Sequence, residues 1–226
     1  MAQLTLASLF LPMSHFLISS TSLREALIER LGEGRYYRAY SALAAVALFW
    51  LAAAYWQAPA VPLWTAPCAV RLALTPLILV ASVLAVAGVM TPNPVIVRSE
   101  RLFDRSDAVR GLLRITRNPF FWGVGLIAVT HIVLIGSLAA ILAFGSLAVL
   151  GFAGAPVLDA KKAKRHGRAW ELFASATSDI PFLAVAQGRQ QLAWREIGYR
   201  RIGFGMALFL VALACHPALF GTALWR

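Results

Sequence analysis

The chain has 226 residues, of which 60% are hydrophobic, and it carries a formal net charge of +11. A soluble domain of this length could not bury so much apolar surface in its core, so the mean hydropathy of +0.71 excludes an ordinary soluble protein. Nucleic-acid binding is not expected either, because basic loops that face an anionic membrane leaflet account for the positive charge.

Six long apolar stretches predict an all-α bundle of six transmembrane helices. About 20 mostly apolar residues cross the ~30 Å hydrocarbon core of a bilayer, and each stretch reaches or approaches that length. All of them belong to one membrane domain over residues 1–226. The predicted spans are 4–22, 39–58, 69–91, 119–136, 138–157 and 202–222.

The basic residues alternate with these spans and predict the orientation. Of the 21 Lys and Arg residues, 19 lie within 24–38, 98–117 and 161–201, and only Arg71 and Arg226 lie elsewhere. Positively charged loops stay in the cytoplasm during insertion, so both termini are expected outside. The two cysteines, Cys68 and Cys215, then lie toward the outer side, where a disulfide could form, although two buried thiols are the favoured interpretation.

Two cytoplasmic segments have helical patterns of their own. Ser22 is expected to cap a short helix, with Glu25 three residues on, and Gly32 and Gly34 can end that helix. The longer segment, 159–201, is expected to lie on the membrane surface and to open with a basic amphipathic helix. Its predicted polar face holds Lys161, Lys162, Lys164 and Arg165, and its predicted membrane anchors are Leu158, Trp170 and Phe173.

Two histidines lie inside predicted spans, where ionisable side chains are costly and mark functional candidates. His15 lies in the first span and His131 in the fourth, where Gly123 on the same face permits close approach of a helix or of a flat ligand. The face of His15 is expected to turn toward the bundle interior. It carries Ser8, Ser19 and Ser22 at helical spacing.

The predicted spans place His15 and His131 at depths that differ by about 6 Å at 1.5 Å per residue. Two histidines near one depth can clamp a haem iron, which needs only one or two axial side chains and an apolar slot. The spacing of a tetrahedral zinc site is absent from the sequence. The alternative is that each histidine makes a hydrogen bond between helices. His216, near the outer end of the last span, is a reserve ligand.

Arg117, Asn118 and Pro119 stand at the cytoplasmic start of the fourth span. Pro119 suits the first helical turn and Asn118 suits the N-cap, and on that interpretation Asn118→Asp would be tolerated, because Asp caps equally well. The alternative is a polar contact from Asn118 to a bound cofactor or lipid headgroup, supported by Arg117 and the positive helix end.

Four segments of the sequence resemble the NnrU family of bacterial membrane proteins, which also contains the plant and cyanobacterial 15-cis-zeta-carotene isomerases. They are MSHFLISSTSLREALIERLGEGRYYRAYS, ITRNPFFWGVGLIAVTH, DAKKAKRHGRAWELFASATSDIPF and HPALFG. The family's histidines in the first and fourth spans fall on His15 and His131. The chain departs from the family at Asn118, where many members have histidine, and it lacks the cysteine that the isomerases carry near the fourth-span histidine.

The resemblance implies a multi-pass protein of the bacterial inner membrane that binds haem b. It implies a link either to denitrification and nitric oxide metabolism or to cis–trans isomerisation of a polyene. The partners that it implies are membrane lipids, a lipophilic substrate and a membrane redox partner. Arg71, at the outer edge of the third span, is the candidate partner for a haem propionate.

The segment from Arg117 to Gly123, followed further along by Trp170 and Pro181, is also similar to membrane methyltransferases of the isoprenylcysteine type. These enzymes bind S-adenosylmethionine at the cytoplasmic face, which would place Arg117, Asn118 and Trp170 near that cofactor. This chain lacks their histidine and offers only Asp159 and Glu171 as downstream carboxylates. A third hypothesis is a non-catalytic scaffold or regulator in the membrane.

Overall fold

The computed structural model describes residues 1–96, 99–104 and 107–220, and helices joined by irregular segments make up this part of the chain. It contains no β-strand, only an isolated bridge between Pro62 and Ser137. The α-helices of the described residues are α1 (Ala2–Ser20), α2 (Ser22–Leu31), α3 (Glu33–Trp56), α4 (Cys68–Met90), α5 (Pro119–Ile135), α6 (Leu138–His166), α7 (Arg168–Ala176), α8 (Leu183–Ala186), α9 (Trp194–Ile197) and α10 (Tyr199–Phe220).

Five of these helices, α1, α3, α4, α6 and α10, are long and apolar enough to cross a membrane. The all-α class is therefore confirmed, and five helices suit a membrane, but the count of six spans is not confirmed. The fourth predicted span corresponds to α5, which is apolar but has only 17 residues. It begins at Pro119 and is followed by Gly136, whose φ of 63° ends the helix.

The first of two compact units comprises residues 1–66 and 128–150. Its core joins α1, α3 and the start of α6 through small and aliphatic side chains, including Leu4, Leu11, Leu51 and Ala143. As predicted, α2 ends at Gly32, whose φ is 77° and whose N–H donates to the carbonyl of Ile28. Its N-cap is Thr21 rather than the predicted Ser22, because the Thr21 hydroxyl accepts the N–H of Leu23 at 3.2 Å. His15 and His131 both belong to this unit.

The second unit comprises residues 67–127 and 151–226, described to residue 220. Its helices approach closely at glycines, as is common where apolar helices pack in membranes. A Cβ at Gly123 would lie 2.5 Å from the backbone nitrogen of Ala85, and one at Gly205 would lie 2.6 Å from the Cα of Val83. The prediction that Gly123 admits a close neighbour is confirmed, and the neighbour is α4.

The predicted surface segment 159–201 differs from expectation at its start. Residues 159–166 extend α6 rather than forming a separate helix, and the break comes at Gly167, with a φ of 48°. Trp170 and Phe173 are buried at 7% and 4% exposure. They pack on Val95 and Leu113, so their assignment as membrane anchors was wrong. The loop before α5 supplies the apolar partners that the sequence pattern did not reveal.

The two cysteines also differ from expectation. Cys68 and Cys215 are free thiols, and both are exposed rather than buried. Cys68 is the first residue of α4. Cys215 lies on α10, of whose apolar stretch only 11% is buried within the protein. Most side chains of α10 are therefore exposed, and Cys215 is one of them.

Candidate functional site

The imidazole of His15 is held by its own helix. Its Nδ1 lies 2.8 Å from the carbonyl oxygen of Leu11, one turn earlier in α1. Since a carbonyl oxygen only accepts, Nδ1 carries the proton and donates it. In a neutral imidazole this hydrogen bond leaves the lone pair on Nε2, which is the usual arrangement of a histidine that binds a metal. His15 is half-buried.

Aromatic rings from α3 lie beside His15. The Tyr40 ring meets the imidazole edge-on, with 5.6 Å between ring centroids, and the Tyr36 ring stacks on Tyr40 at 6.0 Å. The Tyr36 hydroxyl donates to the carbonyl of Ile18 at 3.3 Å. These contacts tie α3 to the C-terminal half of α1 and restrict the orientation of the His15 ring.

His131 lies in the part of α5 that belongs to the same unit as His15. Its ring stacks on Phe144 of α6, with 4.8 Å between centroids and 22° between planes. Phe144 in turn meets Tyr55 of α3 edge-on at 5.7 Å. Both histidines are thus oriented by aromatic neighbours in the first unit.

The helix bounds revise the expected depths of the two histidines. His15 is four residues beyond the centre of α1 at Leu11, and His131 is four residues beyond the centre of α5 at Ile127. With the two helix centres taken at one depth, these bounds give a depth difference of about 12 Å at 1.5 Å per residue, compared with about 6 Å from the predicted spans. Side chains lean toward the N-terminus of their helix. The His15 side chain does so, since its Nδ1 reaches the Leu11 carbonyl one turn earlier.

The serine stripe around His15 faces the interior only in part. Ser8 is 6% exposed, whereas Ser22 is exposed. The Ser19 hydroxyl donates to the carbonyl of His15 at 2.5 Å. The Ser8 hydroxyl is buried and has no hydrogen-bond partner among the residues described. An unsatisfied buried hydroxyl is costly, so it is a candidate contact for a bound group.

Two other predicted site residues lie in the second unit, whereas both candidate iron ligands lie in the first. Arg71 lies in the first turn of α4, and its carbonyl accepts from the Thr75 hydroxyl at 2.8 Å. His216 lies near the end of α10 and is half-buried. Their proposed roles, as propionate partner and reserve ligand, stay predictions.

A charged cluster is built at the start of α5. The Arg117 guanidinium binds Asp159 of α6, with Nε 2.7 Å and Nη2 2.5 Å from Oδ2. The Asn118 amide nitrogen donates to Asp159 Oδ1 at 3.1 Å and to Asp179 Oδ1 at 2.9 Å. Asn118 thus bridges two carboxylates, an arrangement that the cap interpretation did not anticipate.

Surrounding contacts fix this cluster in place. The Arg117 backbone N–H donates to the carbonyl of Ser178 at 2.8 Å, and the Thr116 hydroxyl donates to the carbonyl of Asp179 at 2.5 Å. The Arg117 guanidinium lies 5.5 Å from the Trp170 ring, a cation–π contact. Sequence analysis missed Asp179. A usable signal was present, because the chain has only ten acidic residues and each is therefore a candidate.

A cavity of about 530 Å³ opens beside the cluster, within the size range of small-molecule sites. It is entirely in the second unit. It is lined by Arg117, Pro156, Asp159, Ala174, Thr177, Ser178, Asp179, Ile180 and Arg189. Two arginines and two aspartates give its wall no net charge.

Comparisons with known proteins agree with the resemblance noted in the sequence. The family model described as "NnrU protein" matches residues 3–224. The chloroplastic 15-cis-zeta-carotene isomerase of Arabidopsis thaliana is 34% identical over 119 residues, which cover 50% of this chain and 32% of that protein. Its Zea mays counterpart is 35% identical over 82 residues, which cover 36% of this chain and 22% of the isomerase. No solved structure matches significantly. Because the family model covers nearly the whole chain, this protein belongs to the NnrU family.

Proposed function

We propose that this protein binds haem b in its first unit through His15 and His131 and takes part in the cis–trans isomerisation of a polyene of the carotenoid type. We place it in the bacterial inner membrane. The family and the two curated isomerases support the link to polyenes. No contact among the described residues favours the nitrogen-oxide role, so polyene isomerisation is the function that we test.

The observation that carries the haem proposal is the hydrogen bond from His15 Nδ1 to the Leu11 carbonyl. It fixes the tautomer and leaves Nε2 available to iron. A second observation is the buried Ser8 hydroxyl, which has no partner among the described residues. Ser8 is seven residues before His15, or about 10 Å nearer the outer side, close to the depth of His131. A group held between the histidines would therefore lie beside this hydroxyl.

The proposed site does not resemble one in which three or more protein side chains bind a metal ion directly. The described residues contain no group of three or more His, Cys, Asp or Glu placed to hold a metal ion. Haem needs only axial side chains, because its porphyrin supplies the other ligands. When bound, haem supplies an iron centre that exchanges single electrons. The residues present fit such a group better than they fit a bare metal ion.

The proposed substrate is a long apolar molecule, and the protein offers it an apolar environment. Isomerisation of a double bond transfers no atoms, so the chain needs no site for a second substrate. Its residues have to hold the polyene, exclude water and fix the iron ligands. The tyrosine and phenylalanine rings beside the two histidines can fix the iron ligands, because they limit rotation of the imidazoles.

The test is an isomerisation assay with purified protein in lipid and 15-cis-zeta-carotene, with the isomers separated by chromatography. We expect conversion by the unaltered chain and at least a tenfold loss in His15→Ala and in His131→Ala. His166→Ala is the matched control and should retain activity, because His166 lies outside the proposed site, against Phe103. No conversion by the unaltered, haem-loaded protein would refute the isomerase proposal.

A further inference from the structure

The charged cavity beside α5 has hydrogen-bonding groups that the protein itself does not use. Of the Arg117 guanidinium, Nε and Nη2 bind Asp159, whereas Nη1 has no partner among the described residues. Asp179 receives the Asn118 amide on Oδ1, and its Oδ2 is unused within the same residues. The Ser178 hydroxyl, on a residue only 5% exposed, also has no partner there. The cavity thus has free donors and a free anionic acceptor.

These groups define the chemistry of a ligand. Arg117 Nη1 and the Ser178 hydroxyl donate, so they suit an anionic oxygen, and arginine binds phosphate well. Asp179 accepts, so it suits an ammonium group. Asp159 is neutralised by Arg117, and its two oxygens are both occupied. A ligand that carries one anion and one cation would therefore satisfy the cavity, while a simple anion would leave the Asp179 carboxylate unpaired.

The location of the cavity indicates where such a ligand comes from. Arg117 is the last charged residue before the apolar helix α5, and Asp159 is the first charged residue of α6. Both therefore stand where apolar helix meets the polar phase, which is the level of lipid headgroups. Ile180, on the cavity wall, is 54% exposed, and Phe182 nearby is 48% exposed. An apolar rim around a charged interior suits acyl chains outside and a headgroup inside.

We propose that this cavity is a specific site for the headgroup of a zwitterionic aminophospholipid. The phosphate lies against Arg117 and Ser178, and the ammonium lies against Asp179. The shared chemistry is that of phosphoethanolamine, and the apolar rim assigns it to the lipid rather than to a free metabolite. The Asn118 bridge holds Asp179 in position for the ammonium. This site is independent of the proposed haem site, which lies in the other unit.

The experiment is calorimetric titration of the detergent-purified full chain with short-chain phosphatidylethanolamine, phosphatidylglycerol of the same chain length, O-phosphoethanolamine and S-adenosylmethionine. We expect phosphatidylethanolamine to bind at least tenfold more tightly than phosphatidylglycerol. Asp179→Asn keeps the shape of the side chain and an acceptor for Asn118, but it removes the charge. It should lose at least tenfold in affinity for phosphatidylethanolamine. Glu171→Gln, which alters an exposed carboxylate on α7, is the matched control.

Several outcomes would overturn the proposal. Equal affinity for the two lipids, or unchanged affinity in Asp179→Asn, would remove the zwitterion site. Equal affinity for O-phosphoethanolamine would assign the cavity to a free zwitterion and refute the lipid assignment. Tighter, competing binding of S-adenosylmethionine would make the cavity a methyl-donor site instead. The haem spectrum of Asp179→Asn is expected to match that of the unaltered chain, so failure of this proposal and failure of the haem proposal are distinguishable.

Discussion

Arg117 and Asp159 form an ion pair in which both side chains are largely buried, at 16% and 12% exposure. The two residues stand just before α5 and in the C-terminal part of α6, 42 residues apart in sequence. Removing one member of a buried pair leaves an uncompensated charge, which costs more than the pair itself contributes. This pair therefore couples the positions of α5 and α6 within the second unit.

Replacing Asp159 tests that coupling. Asp159→Asn should destabilise the protein by about 3 kcal/mol or more, because the buried guanidinium of Arg117 loses its counter-ion. The Arg168–Glu171 pair is the control, since its side chains are 80% and 64% exposed. Glu171→Gln should cost less than about 1 kcal/mol. Both losses of stability are measured by unfolding the variants in detergent and monitoring the helical signal by circular dichroism. Equal stability of the two variants would contradict the structural role of the buried pair.

Asn118 gives a second prediction, which concerns which of two variants is the less stable. Asn118→Ala loses hydrogen bonds to two carboxylates, each worth about 1.5–3 kcal/mol. Asn118→Asp puts a third carboxylate against Asp159 and Asp179, so it should be less stable than the alanine variant. If Asn118 were only a helix cap, aspartate would be the better tolerated substitution. Denaturation of the two proteins side by side separates these interpretations.

The contact at Gly123 predicts intolerance of a single methyl group. A Cβ there would lie 2.6 Å from the carbonyl oxygen of Ala81 and 2.5 Å from the nitrogen of Ala85, both of them backbone atoms that cannot rotate away. Gly123→Ala should therefore cost about 1–3 kcal/mol. Gly145→Ala is the matched control, because nothing lies within 4 Å of its Cβ position. That variant should be neutral or gain up to ~1 kcal/mol from helix propensity.

Glu196 links stability to pH. Arg114 donates to its carboxylate from Nε at 2.8 Å and from Nη2 at 3.0 Å, and the Gly111 N–H donates at 2.9 Å. The hydrogen bonds from Arg114 and then from Gly111 lower the pKa of Glu196 below its ordinary value. The stabilisation is therefore complete above the ordinary pKa of glutamate and is lost as the pH falls through the lowered pKa.

The measurement is the unfolding midpoint of the unaltered chain and of Glu196→Gln across the acid range. The difference between the two proteins should be constant near neutral pH and should shrink in acid. Because Glu196 is partly exposed, raised salt should also reduce it. A difference that grows as the pH falls would mean that the carboxylate is not held as described.

The sequence predicted the elements of this fold better than it predicted their contacts. Apolar length and the glycines at 32 and 123 were sufficient to locate helices, a helix end and a close approach, because those features depend on local composition. The bridge from Asn118 to Asp179 joins residues 61 positions apart. Such a contact depends on how the segment after α7 folds back, and no local periodicity encodes it. The burial of Trp170 was missed for the same reason.

The two histidines remain the central element of the account, and the absorption spectrum of the purified protein tests them most directly. With haem supplied during expression, the unaltered chain should show a haem Soret band. His15→Ala and His131→Ala should each lose or shift that band, while His166→Ala should leave it unchanged. Full haem occupancy with an unaltered spectrum in both His15→Ala and His131→Ala would contradict the assignment of these residues as iron ligands.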